Sequence, residues 1–261
     1  PRDLDRITLD TLKTRVSGVL ADDIVTTLSG TVLLAPLTAN LDLIANLPGG
    51  DINGDLLYAA NQSPQIDLTF SSERLDLDKL TPPSQAGTAD TDAAADTTTD
   101  EGLKAPPIPV PVGPLKDLDM RLVVSADSLL SNGQEITGAQ LLLRVVDGVS
   151  DLKHLRGILH EGQLDTRMII DVRKPTIAVN LEGGMNGVSV DSLLSSFGSA
   201  GTAKGRVDIN WDIDTAGKTS EDLQLGLDGD ITVASSDVEV LSVSAQAEMC
   251  KAIAQVNGGA L

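Results

Sequence analysis

The stretch VDINWDIDTAG at 207–217 alternates without a break: Val207, Ile209, Trp211 and Ile213 share one parity, and Asp208, Asn210, Asp212 and Asp214 the other. Successive side chains of a β-strand point to opposite faces, so this strand has one apolar and one wet face. The same division sets Leu164, Met168, Ile170 and Val172 against Asp165, Arg167, Asp171 and Arg173. It recurs at Met120, Leu122 and Val124, and at Leu223, Leu225 and Leu227. Strands covered on both faces of a parallel sheet read as continuous apolar runs; these do not, so antiparallel meanders are expected.

Glycine and asparagine mark the turns, in PGGDINGD (48–55), SNGQ (131–134), VDGVSD (146–151) and HEGQ (160–163). These residues supply the positive φ that tight hairpins need. Helical signal is confined to VDSLLSSFG (190–198) and to SAQAEMCKAIAQVN (244–257), where Met249, Ile253 and Val256 would share a face. A longer pattern occurs twice. GGDINGDLLYAANQSPQIDLTFSSERLDLDKL and EGQLDTRMIIDVRKPTIAVNLEGGMNGVSVDSLL each give a Gly turn, an alternating strand, a Pro-led strand that turns and alternates again, and a leucine-ended segment. Repeated units of this kind stack to share a core and favour an extended sheet. The expected organisation is a first β segment at 1–82, an acidic and Pro-rich insertion at 83–113, and a second β segment with a C-terminal helix at 114–261, all in one sheet system. Within the insertion, 84–104 has almost nothing to bury and is expected to be disordered.

Charge narrows the partners. With 38 acidic against 19 basic side chains, the net charge of −19 disfavours nucleic acid, which needs a concentrated basic face. It equally disfavours adsorption to an anionic membrane surface. Only Tyr58, Phe70, Phe197 and Trp211 are aromatic, too few for the stacking platforms of a sugar-binding module. Cys250 is the single cysteine, so no intrachain disulfide forms, and its apolar company is that of a buried, inert thiol. No apolar run approaches the roughly 18 residues of a membrane span. The chain opens at Pro1 in mid-pattern, as an excised piece would.

The residues that could carry chemistry do not assemble into a known arrangement. His154 and His160 match no zinc spacing and read as exposed loop residues. DINGDLLYAANQ begins like a calcium loop at Asp51, Asn53 and Asp55, but Leu56 and Gln62 stand where glycine and glutamate are needed, which leaves a hairpin turn. Asp208, Asp212 and Asp214 alternate as a solvated face rather than as an acid and base pair. There is no nucleophile elbow, phosphate loop or dinucleotide fingerprint. No catalytic residue, metal or cofactor is expected, and the chain reads as non-enzymatic.

LTFSSERLDLDKLTPP followed by the acidic insertion, AQLLLRVVDGVSDLKHLRGILHEGQLDTRMIID, GGMNGVSVDSLL, AKGRVDINWDIDTAGKTSEDLQLGLDGDITV and AEMCKAIAQVN resemble the C-terminal β-rich region of the AsmA family, relatives of TamB. The resemblance spans nearly the whole chain. It implies an inner-membrane helix upstream, a periplasmic body, and a role in outer-membrane biogenesis. It further implies a long, twisted antiparallel sheet forming an open groove of the bridge-like lipid-transfer type, conducting phospholipid. The residues support such a groove on their own. Exposing a sixteen-carbon acyl chain to water costs on the order of 13 kcal/mol, at about 0.8 kcal/mol per methylene. A carrier therefore needs a continuous, featureless apolar lining, for which Leu122, Val124, Met168, Ile170, Val172, Ile209, Trp211 and Ile213 are the candidates. The alternative is a β-sandwich protein-binding or assembly module supporting outer-membrane protein insertion, in which the same face is a closed core.

Overall fold

The computed structural model describes residues 5–16, 23–80, 113–235 and 237–241. The insertion at 84–104 and the C-terminal segment at 244–257, with Cys250, lie outside the described residues. The first half supplies β1 (Arg6–Val16), β2 (Ile24–Leu34), β3 (Leu37–Leu47), β4 (Gly50–Ala59) and β5 (Ile66–Asp76), then a 3-10 turn at Leu77–Lys79. The second half opens with one helical turn, α1 (Gly113–Lys116), before β6 (Met120–Ser131), β7 (Gln134–Val146), β8 (Val149–Leu159), β9 (Gly162–Asp171) and β10 (Ile177–Ser189). Helix α2 (Val190–Ser196), β11 (Ala203–Lys204), β12 (Arg206–Gly217), α3 (Ser220–Leu225), β13 (Asp228–Ser235) and β14 (Glu239–Val240) follow. Twelve strands make one sheet in the order β1 to β10, then β12 and β13, while β11 pairs with β14 outside it.

The fold is mainly β and the sheet is open: β1 and β13 are its two edges and do not meet. It is not wholly antiparallel. β5 and β6 run parallel, from Ile66 beside Met120 to Asp76 beside Leu130. A parallel pair needs a crossover of a dozen residues or more, and the acidic insertion between these strands provides that length. The two long sequence copies fold as like units, β4–β5 with the 3-10 turn and β9–β10 with α2. The turns read inside them are absent, because SSER lies within β5 and LEGGMNG within β10. What interrupts β10 is a bulge between Met185 and Val188, with Gly187 at φ +68°.

Hairpin chemistry mostly follows the sequence. Asn132–Gly133 (φ 51° and 71°) and Asp147–Gly148 (φ 49° and 76°) are two-residue links with both residues left-handed. In HEGQ the linking pair is instead His160–Glu161 (φ 50° and 64°), and Gly162 already belongs to β9. That glycine serves packing, since a Cβ there would lie 2.9 Å from the Val188 Cα. DINGDLLYA is strand β4 and not a turn, with only Pro48–Gly49 linking it to β3. His154 is half-buried in β8 opposite Leu142, not in a loop. The leucines at 223 and 225 form no strand. They lie in α3, whose start is fixed by a capping box: the Thr219 hydroxyl accepts the Asp222 N–H while the Asp222 carboxylate accepts the Thr219 N–H.

Packing is concentrated near one end of the strands, where Leu75, Ala126, Leu129, Ile136, Ala139 and Leu164 are buried among Leu47, Ile52, Met185 and Trp211. A smaller cluster of Val190, Leu194 and Ala203 seats α2 beside β11. Asp78 ties the 3-10 turn to the β6–β7 link, its carboxylate accepting the N–H groups of Asn132 at 2.6 Å and Gly133 at 2.9 Å. These two bonds stabilise the anion and hold the Asp78 carboxyl below its ordinary value.

Two outcomes follow. Gly30 sits at φ +141°, and an added Cβ would lie 2.1 Å from the Asn40 carbonyl oxygen. Gly30→Ala should therefore cost about 1–3 kcal/mol or more in chemical denaturation. Gly133→Ala, whose Cβ meets nothing within 4 Å, should cost only the left-handed penalty of about 1–2 kcal/mol. Equal losses would contradict this reading of Gly30. For Asp78 the folded pKa lies below the unfolded one. Its contribution is present above the unfolded pKa and lost as pH falls through the folded pKa. Asp78→Asn should lower the melting temperature at pH 7, with the difference closing in strong acid; a difference independent of pH would refute it.

Candidate functional site

Antiparallel and parallel register alike place paired residues on the same face of a sheet, so the pairings can be followed across all twelve strands. One line crosses the first half through Leu9, Gly30, Leu41, Leu56 and Leu68. It passes from Leu68 to Leu122 across the parallel pair and continues through Leu143 and Leu152. It ends through Met168, Leu181, Ile213 and Gly229. The adjacent line starts at Leu12, Leu28, Leu43, Gly54 and Phe70. It then runs through Val124, Leu141, Leu155, Thr166, Gly183, Trp211 and Ile231. Neither line contains a charged residue in a chain carrying 57 acidic and basic side chains, 38 plus 19.

Bulges keep the two lines intact. In β8 the register shifts between Leu152 and Leu155, absorbing the extra residue and leaving both leucines on one face. A shift between Leu9 and Leu12 does the same in β1. At Gly54 the missing side chain is replaced by Phe70, whose ring lies 2.7 Å from where a Cβ would stand.

The lines form a lane between two packed margins. Leu75, Leu129, Ile136 and Leu164 are buried along one. Along the other, Val145 and Val172 are 1% exposed and Ile177 is 5% exposed, and α1 packs against β7 and β8. Between the margins, Leu41, Leu56, Leu68, Leu122, Leu143, Met168, Leu181 and Ile213 are half-buried. No second layer lies over them among the described residues: strands make extensive contact only with their sheet neighbours, and the helices with strand ends. The opposite face carries the charged residues, although Ile44, Leu57 and Ile169 are also exposed on it. Across it Arg121 donates to Asp67 at 3.0 Å, Arg156 to Asp165 at 2.9 Å and Asn46 to Asp51 at 2.8 Å. Such exposed pairs contribute at most about 1 kcal/mol each, so their effect is to keep this face wet.

Of the eight candidate residues, Leu122, Met168 and Ile213 stand in the first line, and Val124 and Trp211 in the second. Ile170 and Ile209 flank the lane on opposite sides, beside Val179 and Met185 respectively. Val172 lies one residue beyond β9 and is buried in the margin, where it supports the lane without being reachable. Sequence reasoning named no residue of the first half, although LTANLDLIANL carries the same parity at Leu41 and Leu43. The Trp211 indole Nε1 is buried and has no hydrogen-bond partner.

Among the described residues nothing else gathers reactive groups. No cluster of three metal-ligating side chains occurs among the described residues. The His160 ring lies 3.4 Å from the Ser192 hydroxyl, joining the β8–β9 link to α2, and burial pushes its pKa down. Asp171 is held at about 2 by hydrogen bonds from the Arg173 guanidinium and backbone, at the β9 end. Among the described residues no helix is long and apolar enough to cross a membrane.

No curated protein and no solved structure matches the chain. The AsmA family model matches residues 6–258, nearly all of it, across both halves of the sheet and the parallel junction between them. The chain belongs to the AsmA family of bacterial envelope proteins.

Proposed function

We propose that the lane is a surface for phospholipid acyl chains, along which lipid is held or conducted between the inner and outer membranes. The observation that carries this reading is the pair of uncharged lines crossing twelve strands without interruption. At about 4.8 Å between strands, eleven spacings give a lane roughly 53 Å long. A single leaflet's hydrocarbon is about 15 Å deep, half of the ~30 Å bilayer core, so the lane is long enough for several chains in series. Aliphatic side chains lacking directional polar groups let a chain slide without registering at any one position. The polar face, meanwhile, stays in water. On this reading the protein acts without catalysis, cofactor or metal, in the periplasm, tethered to the inner membrane.

The alternative of a closed sandwich needs a second layer over the apolar face, and none packs there among the described residues.

Trp211 is the only tryptophan and stands in the second line, so it reports directly on acyl chains. Phospholipid brominated on its acyl chains should quench Trp211 fluorescence, whereas the same lipid's water-soluble deacylated headgroup should not. Absence of acyl-specific quenching would reject the lane as a lipid surface. A second test uses Ile209→Asp with Ile213→Asp. On an open face both carboxylates remain hydrated, so the fold should survive with a modest loss of stability. Acyl binding should fail, because tails must then pass charges at a cost of several kcal/mol. A double variant unfolded by circular dichroism would instead identify a closed core.

A further inference from the structure

Charge avoids one corner of the sheet. Residues 24–41, all of β2 and the first part of β3, carry no charged side chain, and neither do residues 56–66 across the β4–β5 link. Register brings the two stretches together at one set of strand ends, with Thr38 beside Ala59 and Tyr58 beside both Ala39 and Ile66. The second half has charged links at the same strand ends: Asp147 between β7 and β8, and Arg173 with Lys174 between β9 and β10. The β2–β3 tip, Leu34–Ala35–Pro36–Leu37, is exposed throughout, with Leu34 at 47% and Leu37 at 45%. Its backbone leaves little for water to satisfy. The Leu34 N–H donates to the Asp5 carbonyl at 2.9 Å, the Leu37 carbonyl accepts the Ala60 N–H at 3.2 Å, and Pro36 has no N–H. Backbone groups already paired are what a non-aqueous surrounding requires.

The tip is continuous with the lane. Leu34 pairs with Leu37, Val32 with Ala39, and Gly30 with Leu41, which stands in the first line. These pairs share the lane's face, so an uncharged ramp leads from the tip into it. In the second half that side is closed by the margin of Val145, Val172 and Ile177. In the first half no described residue is buried along it.

We infer that the β2–β3 tip seats in the boundary between headgroups and acyl chains of a zwitterionic phospholipid bilayer, opening the lane sideways onto its lipids. The charges flanking the tip are Arg6, opposite Leu33, and Asp5, whose carbonyl holds Leu34. They mark the level of the headgroups. Two residues of each strand reach past Arg6, about 7 Å at ~3.4 Å per residue. Apolar elements at a membrane interface sink to a comparable depth, about 5–10 Å. Tyr58, an amphipathic aromatic of the kind that favours this boundary, stands beside the ramp. Such docking draws on apolar area and not on basic residues, in keeping with a net charge of −19 that opposes anionic lipid. The charged links of the second half stay in water, so the sheet meets the bilayer obliquely and the lane leads away from it. What enters by this route rests on the lipid reading of the lane; the docking itself does not.

Flotation of the whole chain with phosphatidylcholine vesicles tests this. The chain should float with them equally at low and high salt, and less once anionic lipid is added. Leu34→Ser with Leu37→Ser should lower the vesicle partition coefficient by roughly tenfold or more, the loss expected when two half-exposed leucines leave the bilayer. Ala35→Asp should do the same with a single change. Leu225→Ser with Leu227→Ser, at positions 79% and 59% exposed, should float like the wild type. All five positions are exposed, so melting curves should match the wild type. Quenching of Trp211 by a dispersed short-chain brominated phospholipid needs no bilayer and should persist in the tip variants. Its absence from the wild type, with flotation intact, would reject the lane and leave the docking standing. A wild-type chain that does not float overturns the inference. So does flotation abolished by salt, or tip variants that float as the wild type does.

Discussion

Strand side chains alternate with a period of two, and one slip of register would turn a strand's apolar residues to the wrong face. Everything in this fold depends on that slip never occurring over twelve successive strands. The register is held in several ways. Short left-handed links at Asn132–Gly133 and Asp147–Gly148 fix the β6–β7 and β7–β8 hairpins. Close backbone approach at Gly30 and Gly162 admits no side chain. Bulges absorb residues that would otherwise reverse parity, as between Leu152 and Leu155. The result is a face whose value lies in continuity rather than in any one residue.

Such a face changes what stability has to come from. Most of the lane is half-buried, so full desolvation is limited to the margins, around Leu129, Ile136 and Leu164 at one side and Val145, Val172 and Ile177 at the other. Backbone pairing and cross-strand contacts carry the sheet between those margins. The parallel junction of β5 with β6 makes one sheet of the two halves by lining up Leu68 with Leu122 and Phe70 with Val124. The acidic insertion that permits this crossover is also what gives both edges the same direction.

How much of this the sequence discloses depends on where parity is unbroken. β12 is legible residue by residue, because VDINWDIDTAG contains no bulge. The lane in the first half was missed because Gly30 and Gly54 interrupt its lettering, and because Ile44 and Leu57 place apolar residues on the polar face. In DLKHL the two leucines are three apart, a helical spacing that only the bulge reconciles with a strand. Leu223 and Leu225 mislead in the opposite sense: they alternate, yet the capping box at Thr219 and Asp222 starts a helix there. Spacing alone cannot distinguish these cases; the caps and bulges around it can. The parallel pairing left no local mark, since it is set by the return path of the chain and not by the pattern within either strand.

If the open apolar face holds acyl chains, they should stay with the protein through purification. Organic extraction of the purified, folded protein, followed by mass spectrometry of the extract, tests it most directly. Phospholipid should co-purify with the protein at more than one acyl chain per copy, as a lane of about 53 Å allows. A folded protein that yields no lipid, and takes none up from vesicles, would contradict it.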